Sequence, residues 1–115
     1  MIEEEEVPQG TIKKYEITIN PIGNISLSQC DFKAMFFAFG NQPPLIIEKN
    51  EAIKSNDDSY KFVVDTSKVG LGKLECQFIV YIPDADVPGL IRPEIIIFDT
   101  QTKIVNSYFD ELLKR

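Results

Sequence analysis

The stretch from residue 70 to residue 100 constrains the fold of this chain more than any other part of the sequence. Two long runs rich in β-branched and aromatic residues flank a connection of Pro, Asp and Gly. Because such a connection cannot continue a strand, the stretch predicts two strands joined by a loop. In the first run, apolar side chains recur with the two-residue period of a strand and share one face: Leu74, Cys76, Phe78, Val80 and Ile82. The chain is therefore expected to be a β domain with a core strand in this region.

Further strand patterns recur along the chain at a spacing of about ten residues. They cover residues 14–20, 25–27, 31–39, 45–48, 52–54 and 60–65, with turn residues between them. The pattern at 31–39 is apolar on both faces, which is typical of a central strand. About seven to nine short strands in one chain predict an all-β fold, a β-sandwich, rather than alternating βαβ units.

The two ends of the chain depart from this pattern. Residues 1–11 combine an acidic run with Pro and Gly, and they are expected to form a flexible arm ahead of a sandwich at residues 12–105. At residues 106–115 the apolar period changes to four, with acidic residues early and basic residues late. This order favours a short C-terminal helix. Such a helix is only marginally stable alone, so it needs a surface to pack against.

The net charge of −6 is concentrated near the N-terminus. Residues 3–6 supply four of the 18 acidic residues, which leaves 14 acidic residues against 12 basic ones. The basic residues are scattered, which disfavours nucleic-acid binding. No apolar run reaches the roughly 18 residues of a membrane span, and the N-terminus lacks the pattern of a secretory signal. We therefore expect no membrane partner, and a location in the cytoplasm or in a virion.

The absence of histidine limits the chemistry that the chain can carry. It removes the commonest general base and zinc ligand, and with it any Ser-His or Cys-His nucleophile pair. The Gly70-Leu71-Gly72 segment is too short for a phosphate-binding loop and precedes a strand rather than a helix. We expect a protein that is not an enzyme and has no cofactor.

The two cysteines, Cys30 and Cys76, leave two alternatives open. Each lies in phase with the expected core face of its strand, so the pair could form a bridge of the immunoglobulin type. The other alternative is two buried, reduced thiols. It is favoured because the chain has no Trp to pack on such a bridge and no secretory signal.

Asp84 and Asp86, in the loop between the two long strands, also allow two interpretations. They could bind calcium, with Glu94 or Asp99 as further ligands, since this ion takes six to eight oxygen ligands. The favoured interpretation is a turn in which the aspartates bond to their own backbone, with Arg92 as a charge-assisted clamp on the loop. On that interpretation the chain has no metal site.

The sequence contains more apolar side chains than a two-sheet sandwich needs. The surplus consists of Met35, Phe37, Phe39, Ile96 and Phe98 on the strands, and Tyr108, Phe109, Leu112 and Leu113 on the expected helix. One short helix covers only a few hundred Å², whereas a standard interface buries roughly 800 Å² per partner. The surplus therefore predicts a protein partner or self-association, either as a homo-oligomer or within a larger assembly.

Two segments of the sequence, Val69-Gly-Leu-Gly-Lys-Leu74 and Ile82-Pro-Asp-Ala-Asp-Val-Pro-Gly-Leu-Ile-Arg-Pro-Glu94, resemble a known family. The family comprises small immunoglobulin-like domains of bacteriophages and prophages, including the N-terminal domain of upper baseplate proteins and related Bacteroides-type proteins. The strands at Cys30–Phe37 and Tyr60–Asp65 fit the same pattern. The resemblance covers roughly residues 12–105 and contains no active-site signature. It implies an immunoglobulin-like β-sandwich that serves as a structural or adaptor module of a tail or baseplate.

A function of a different class remains as the alternative. The chain could be a carbohydrate- or peptide-binding module on a bacterial cell surface. The aromatic rings of Tyr81 and Tyr108 would then be candidate platforms for the ligand.

Overall fold

A computed structural model describes residues 5–21, 24–38, 43–84 and 86–106 of the chain. Within these ranges the chain forms eight strands: β1 (Glu5–Pro8), β2 (Ile12–Thr18), β3 (Asp31–Phe37), β4 (Leu45–Glu48), β5 (Ile53–Asn56), β6 (Ser59–Asp65), β7 (Gly72–Pro83) and β8 (Ile91–Val105). They make a five-stranded sheet in the order β1-β8-β7-β3-β4 and a three-stranded sheet in the order β2-β6-β5. The prediction of an all-β fold is confirmed.

The predicted pair of strands in residues 70–100 is the longest ladder of the fold. β7 and β8 run antiparallel, from Gly72 opposite Ile104 to Pro83 opposite Ile91. β8 continues past residue 100, because the ladder resumes after a bulge at Asp99–Gln101 and extends as far as Ile104. At the bulge, Gln101 has a φ of 56°, and its N–H donates to the Asp99 carboxylate at 2.8 Å.

Four phenylalanines from the two sheets form the centre of the core. Phe32 and Phe36 of β3, Phe62 of β6 and Phe78 of β7 are all at most 1% exposed. The Phe32 and Phe78 ring centroids lie 5.2 Å apart, and Phe62 meets Phe78 edge-on at 6.1 Å. Burying one such side chain contributes about 1.5–3 kcal/mol relative to leaving it exposed, so this cluster holds the sheets face to face.

Residues 5–8, which the sequence placed in a solvated arm, instead form β1. This strand runs parallel to β8, with Val7 opposite Ile104 and only 2% exposed. One buried apolar residue, Val7, is enough to hold this acidic strand in place, because backbone hydrogen bonds hold the rest of the strand. The connection to β2 is fixed by the buried hydroxyl of Thr66, which accepts from the Gly10 N–H at 2.9 Å and donates to the Thr11 carbonyl at 2.6 Å.

The other sequence expectations are met in part. After β6 the chain forms a 3-10 turn at Thr66–Lys68, and the Asp65 carboxylate caps it. The brief extended segment expected at 25–27 is reduced to a β-bridge at Ile25 and extended backbone at Ser26, and a 3-10 turn follows at Leu27–Gln29. The expected C-terminal helix, apart from its first residue Asn106, lies outside the described residues.

Adjacent phenylalanines of β3 provide a test of which face is the core. Phe36 is fully buried and stacks on Tyr15 at 5.7 Å, whereas Phe37 is half-buried on the opposite face. Phe36→Ala should lower the free energy of unfolding by about 3–5 kcal/mol, because it leaves a cavity. Phe37→Ala is the matched control and should cost about 1 kcal/mol. Urea denaturation at low protein concentration measures both values, and equal losses would contradict the assignment of faces.

Candidate functional site

The face of the five-stranded sheet that points away from the three-stranded sheet is strongly apolar. We call it the outer face. Four of its isoleucines are among the most exposed large apolar residues of the described chain: Ile46 is 49% exposed, Ile91 57%, Ile95 62% and Ile97 67%. Half-buried Met35, Phe37, Ile79 and Tyr81 lie between them.

Strand register brings these side chains together in rows across the sheet. Ile95 lies opposite Ile79, which in turn lies opposite Lys33. In the next row, Ile97 lies opposite Gln77, followed by Met35 and Ile46. Side chains directly opposite on one face have Cβ atoms about 4.5–5.5 Å apart, so the rows form one continuous patch.

The structure changes which residues of β8 belong to this patch. Met35 and Phe37 lie on the outer face as expected, but Ile96 and Phe98 point to the inner side and pack against the core. Their exposed neighbours Ile95 and Ile97 take the outer positions. The cause is the register with β7, which sets Ile96 opposite buried Phe78 and Phe98 opposite buried Cys76.

The predicted surface and the outer face differ in further residues. Phe39, Tyr108, Phe109, Leu112 and Leu113 lie outside the described residues. Ile46, Ile79 and Ile91 were not predicted, although Leu45-Ile46-Ile47 already showed apolar residues on both faces of a short strand. That double-sided pattern was the available signal.

An open cleft of about 850 Å³ lies at the end of the sheet where β3 begins and β7 ends. Asp31, Lys33, Tyr81 and Ile91 contribute to its lining. Lys49 also lines it, but its ammonium group donates to the carbonyls of Ser28 and Cys30, both at 2.7 Å, and lies 5.6 Å from the centroid of Phe32. Lys49 therefore has a structural role, and the cleft presents the Tyr81 ring beside two acids, Asp31 and Glu48, and the amine of Lys33.

The loop between β7 and β8 is shaped by its own aspartate. One carboxylate oxygen of Asp84 accepts the N–H groups of Asp86 at 2.8 Å and Val87 at 3.1 Å. These backbone hydrogen bonds lower the pKa of Asp84, and Arg92, with its Nε 3.6 Å from the carboxylate, lowers it further. Among the described residues, no group of three or more Cys, Asp or Glu side chains is arranged to hold a metal ion. The loop therefore has the geometry of a turn whose aspartate bonds to its own backbone.

The two cysteines are free and buried, and they lie far apart. Cys76 is opposite Phe36 of β3, whereas Cys30 precedes Asp31 at the other end of that strand. Six residues of strand separate the two positions by about 20 Å, and a disulfide needs Cα atoms within about 7 Å. Burial raises the pKa of the Cys76 thiol to about 12, which keeps it protonated at neutral pH. The alternative of two reduced thiols is confirmed.

Comparisons with known proteins supply no relative: no family model, no curated protein and no solved structure matches the chain. Within the described residues, no helix is long and apolar enough to cross a membrane.

The separation of the cysteines predicts that reductant leaves the protein's stability unchanged. A bridge across a loop of this length would contribute about 4 kcal/mol, so its loss would lower the melting temperature by many degrees. We expect a shift of less than about 1 °C on adding a reductant. A thiol reagent should label both cysteines only after denaturation, and bridged cysteines would remain unlabelled even then.

The loop geometry predicts that calcium does not bind near Asp84. Millimolar calcium should move the melting temperature by less than about 1 °C, since an ion that binds only the folded state would stabilise it by mass action. Asp84→Asn should lower stability at pH 7 equally with and without calcium. Because the pKa of Asp84 is lowered in the folded protein, this difference should vanish as the pH falls through the folded-state pKa. A calcium-dependent stabilisation that Asp84→Asn abolishes would establish a site.

Proposed function

We propose that this protein is a non-enzymatic structural or adaptor module that assembles with other proteins through its outer face, in the manner of a phage or prophage tail or baseplate component. The observation that carries the proposal is the patch of exposed isoleucines on that face. Monomeric proteins rarely expose large contiguous apolar patches, and such patches mark interaction sites.

The arrangement of charges around the patch supports a protein partner. Lys33 and Glu48 adjoin the isoleucines on one side, and Asp99 and Glu75 adjoin them at the end of the face near the bulge. An apolar centre with a polar rim is the usual anatomy of a protein interface. Burial of four exposed isoleucines would supply several kcal/mol of binding free energy, since each contributes about 1.5–3 kcal/mol when fully covered.

We further propose that the sandwich is of the immunoglobulin type. The order β8-β7-β3-β4 in one sheet and β2-β6-β5 in the other is the order expected of strands G-F-C-C′ and B-E-D in such domains. The disulfide between the sheets and its Trp are replaced in this chain by the phenylalanine cluster. This support rests on topology, which many unrelated functions share.

The cleft favours a second candidate function, the binding of a carbohydrate or peptide. The half-buried ring of Tyr81 lies opposite Asp31 and Pro93, so an aromatic surface adjoins a hydrogen-bond acceptor. Sites for small ligands combine apolar surfaces with a few polar groups in this way.

Co-expression with the products of neighbouring genes tests the two functions. An assembly module should form a stable complex with one of these proteins, and Ile46→Lys should abolish it. Val63→Lys is the matched control, because Val63 is 39% exposed but lies on the three-stranded sheet. No complex, together with glycan or peptide binding that Tyr81→Ala removes, would favour the second function instead.

A further inference from the structure

The backbone of β8 between Ile91 and Ile97 has one edge with which no described strand pairs. The Asp84 N–H donates to the Leu90 carbonyl at 2.8 Å, and in an antiparallel ladder hydrogen-bonded pairs alternate with non-bonded ones. Residues 92, 94, 96 and 98 therefore bond to β7, and residues 91, 93, 95 and 97 turn their backbone groups the other way. Pro93 fits this assignment because it has no N–H to donate.

No described residue pairs with this edge. β1 covers β8 only from Thr102 to Val105, and the bulge at Asp99–Gln101 separates the covered part from the uncovered part. Beside the bulge, a crevice of about 440 Å³ lies next to β8, and Tyr15, Cys76 and Phe98 contribute to its lining.

The other edges of the two sheets have features that oppose strand addition. β4 and β5 are four residues each, and β5 has a register shift between Lys54 and Asn56. β2 carries three charged residues among its seven, and β1 reads Glu-Glu-Val-Pro. Short length, charge, bulges and proline are the usual protections of an edge strand. The first eight residues of β8, 91–98, have only Arg92, Pro93 and Glu94 at one end, and isoleucines follow.

We propose that residues 94–98 of β8 pair antiparallel with the same residues of a second copy, joining two five-stranded sheets into one continuous sheet. The inference rests on the proposed assembly function and names a partner for the edge that adjoins the outer face. It concerns the backbone edge of β8, whereas the proposed function concerns the side chains of the outer face.

The charges favour a second copy of this chain as the partner of the β8 edge. The chain has a net charge of −6, yet residues 91–98 carry one Arg and one Glu and are neutral. A two-fold axis at Ile96 sets Ile95 opposite Ile97 of the second copy, and Glu94 opposite Phe98 of the second copy. No like charges then meet, and a two-fold axis makes the pairing antiparallel without further adjustment. One strand pair is smaller than a standard interface, so we expect a weak, concentration-dependent dimer.

Sedimentation velocity from about 5 to 500 μM, with amide hydrogen exchange at the same concentrations, tests the proposal. We expect a monomer–dimer equilibrium in which the N–H groups of Ile95 and Ile97 become protected as dimer forms. Ile95→Pro should abolish dimerisation, because it removes an outward N–H without touching the ladder to β7. Ile95→Val keeps that N–H and should dimerise like the parent protein.

Other outcomes would overturn the pairing. The pairing would be wrong if the protein stays monomeric at 500 μM. It would also be wrong if the N–H groups of Ile95 and Ile97 are already protected at the lowest concentration, since another segment would then occupy the edge. A dimer lost in Ile46→Lys but kept in Ile95→Pro would place self-association on the outer face. If Ile95→Pro does not fold, the hydrogen exchange of the Ile95 and Ile97 N–H groups in the parent protein is the deciding measurement. The complex with a neighbouring gene product is scored separately, so either proposal can fail without the other.

Discussion

The antiparallel ladder between β7 and β8 is the constraint on which the rest of this structure depends. It sets Phe78 and Cys76 inward against the second sheet, and it thereby sets Ile95 and Ile97 outward. The alternation of hydrogen-bonded pairs in this ladder also determines which backbone groups of β8 bond to β7 and which point to the opposite edge of the strand. The register of β7 and β8 therefore determines the core, the outer face and the outward edge of β8 together. A shift of one residue in this register would move every side chain of the strand to the other face.

Polar contacts hold the two sheets together where the phenylalanine cluster ends. The Tyr15 hydroxyl donates to the buried Thr102 hydroxyl at 2.8 Å, and the Gln9 amide donates to the Val69 carbonyl at 2.9 Å. Both contacts lie at the β1 end of the fold, where β8 has a partner on each side. At the opposite end of β8, residues 91–98 pair with β7 on one side, and no described strand pairs with them on the other side. The fold is closed at one end and open at the other, and both candidate interaction surfaces adjoin the open end.

The location of the exposed apolar residues distinguishes them from isolated surface isoleucines. Single exposed isoleucines are common on protein surfaces, but here four of them share one face and three belong to one strand. The loop before β8 is fixed by Asp84 and by the ion pair to Arg92, so the strand begins from a defined position. A rigid strand with alternating exposed isoleucines loses little conformational entropy on pairing, which favours recognition at this site.

The sequence by itself determined the all-β class, the long pair of strands and the apolar surplus, because period-two alternation and turn residues are local properties. It also identified Met35 and Phe37 as surplus, since Phe32, Ala34 and Phe36 already formed a complete inner face. The faces of residues 95–98 were decided only by the tertiary structure. All four side chains are apolar, so the sequence shows no alternation that would assign them to faces. The register of β8 against Phe78 and Cys76 determines which of them point to the core. The same holds for the cysteines, whose shared phase suggested proximity although six residues of strand separate them. β1 could not be predicted either, because a strand of Glu, Glu, Val and Pro exists only where β8 offers it a ladder and Ile104 offers Val7 a buried contact.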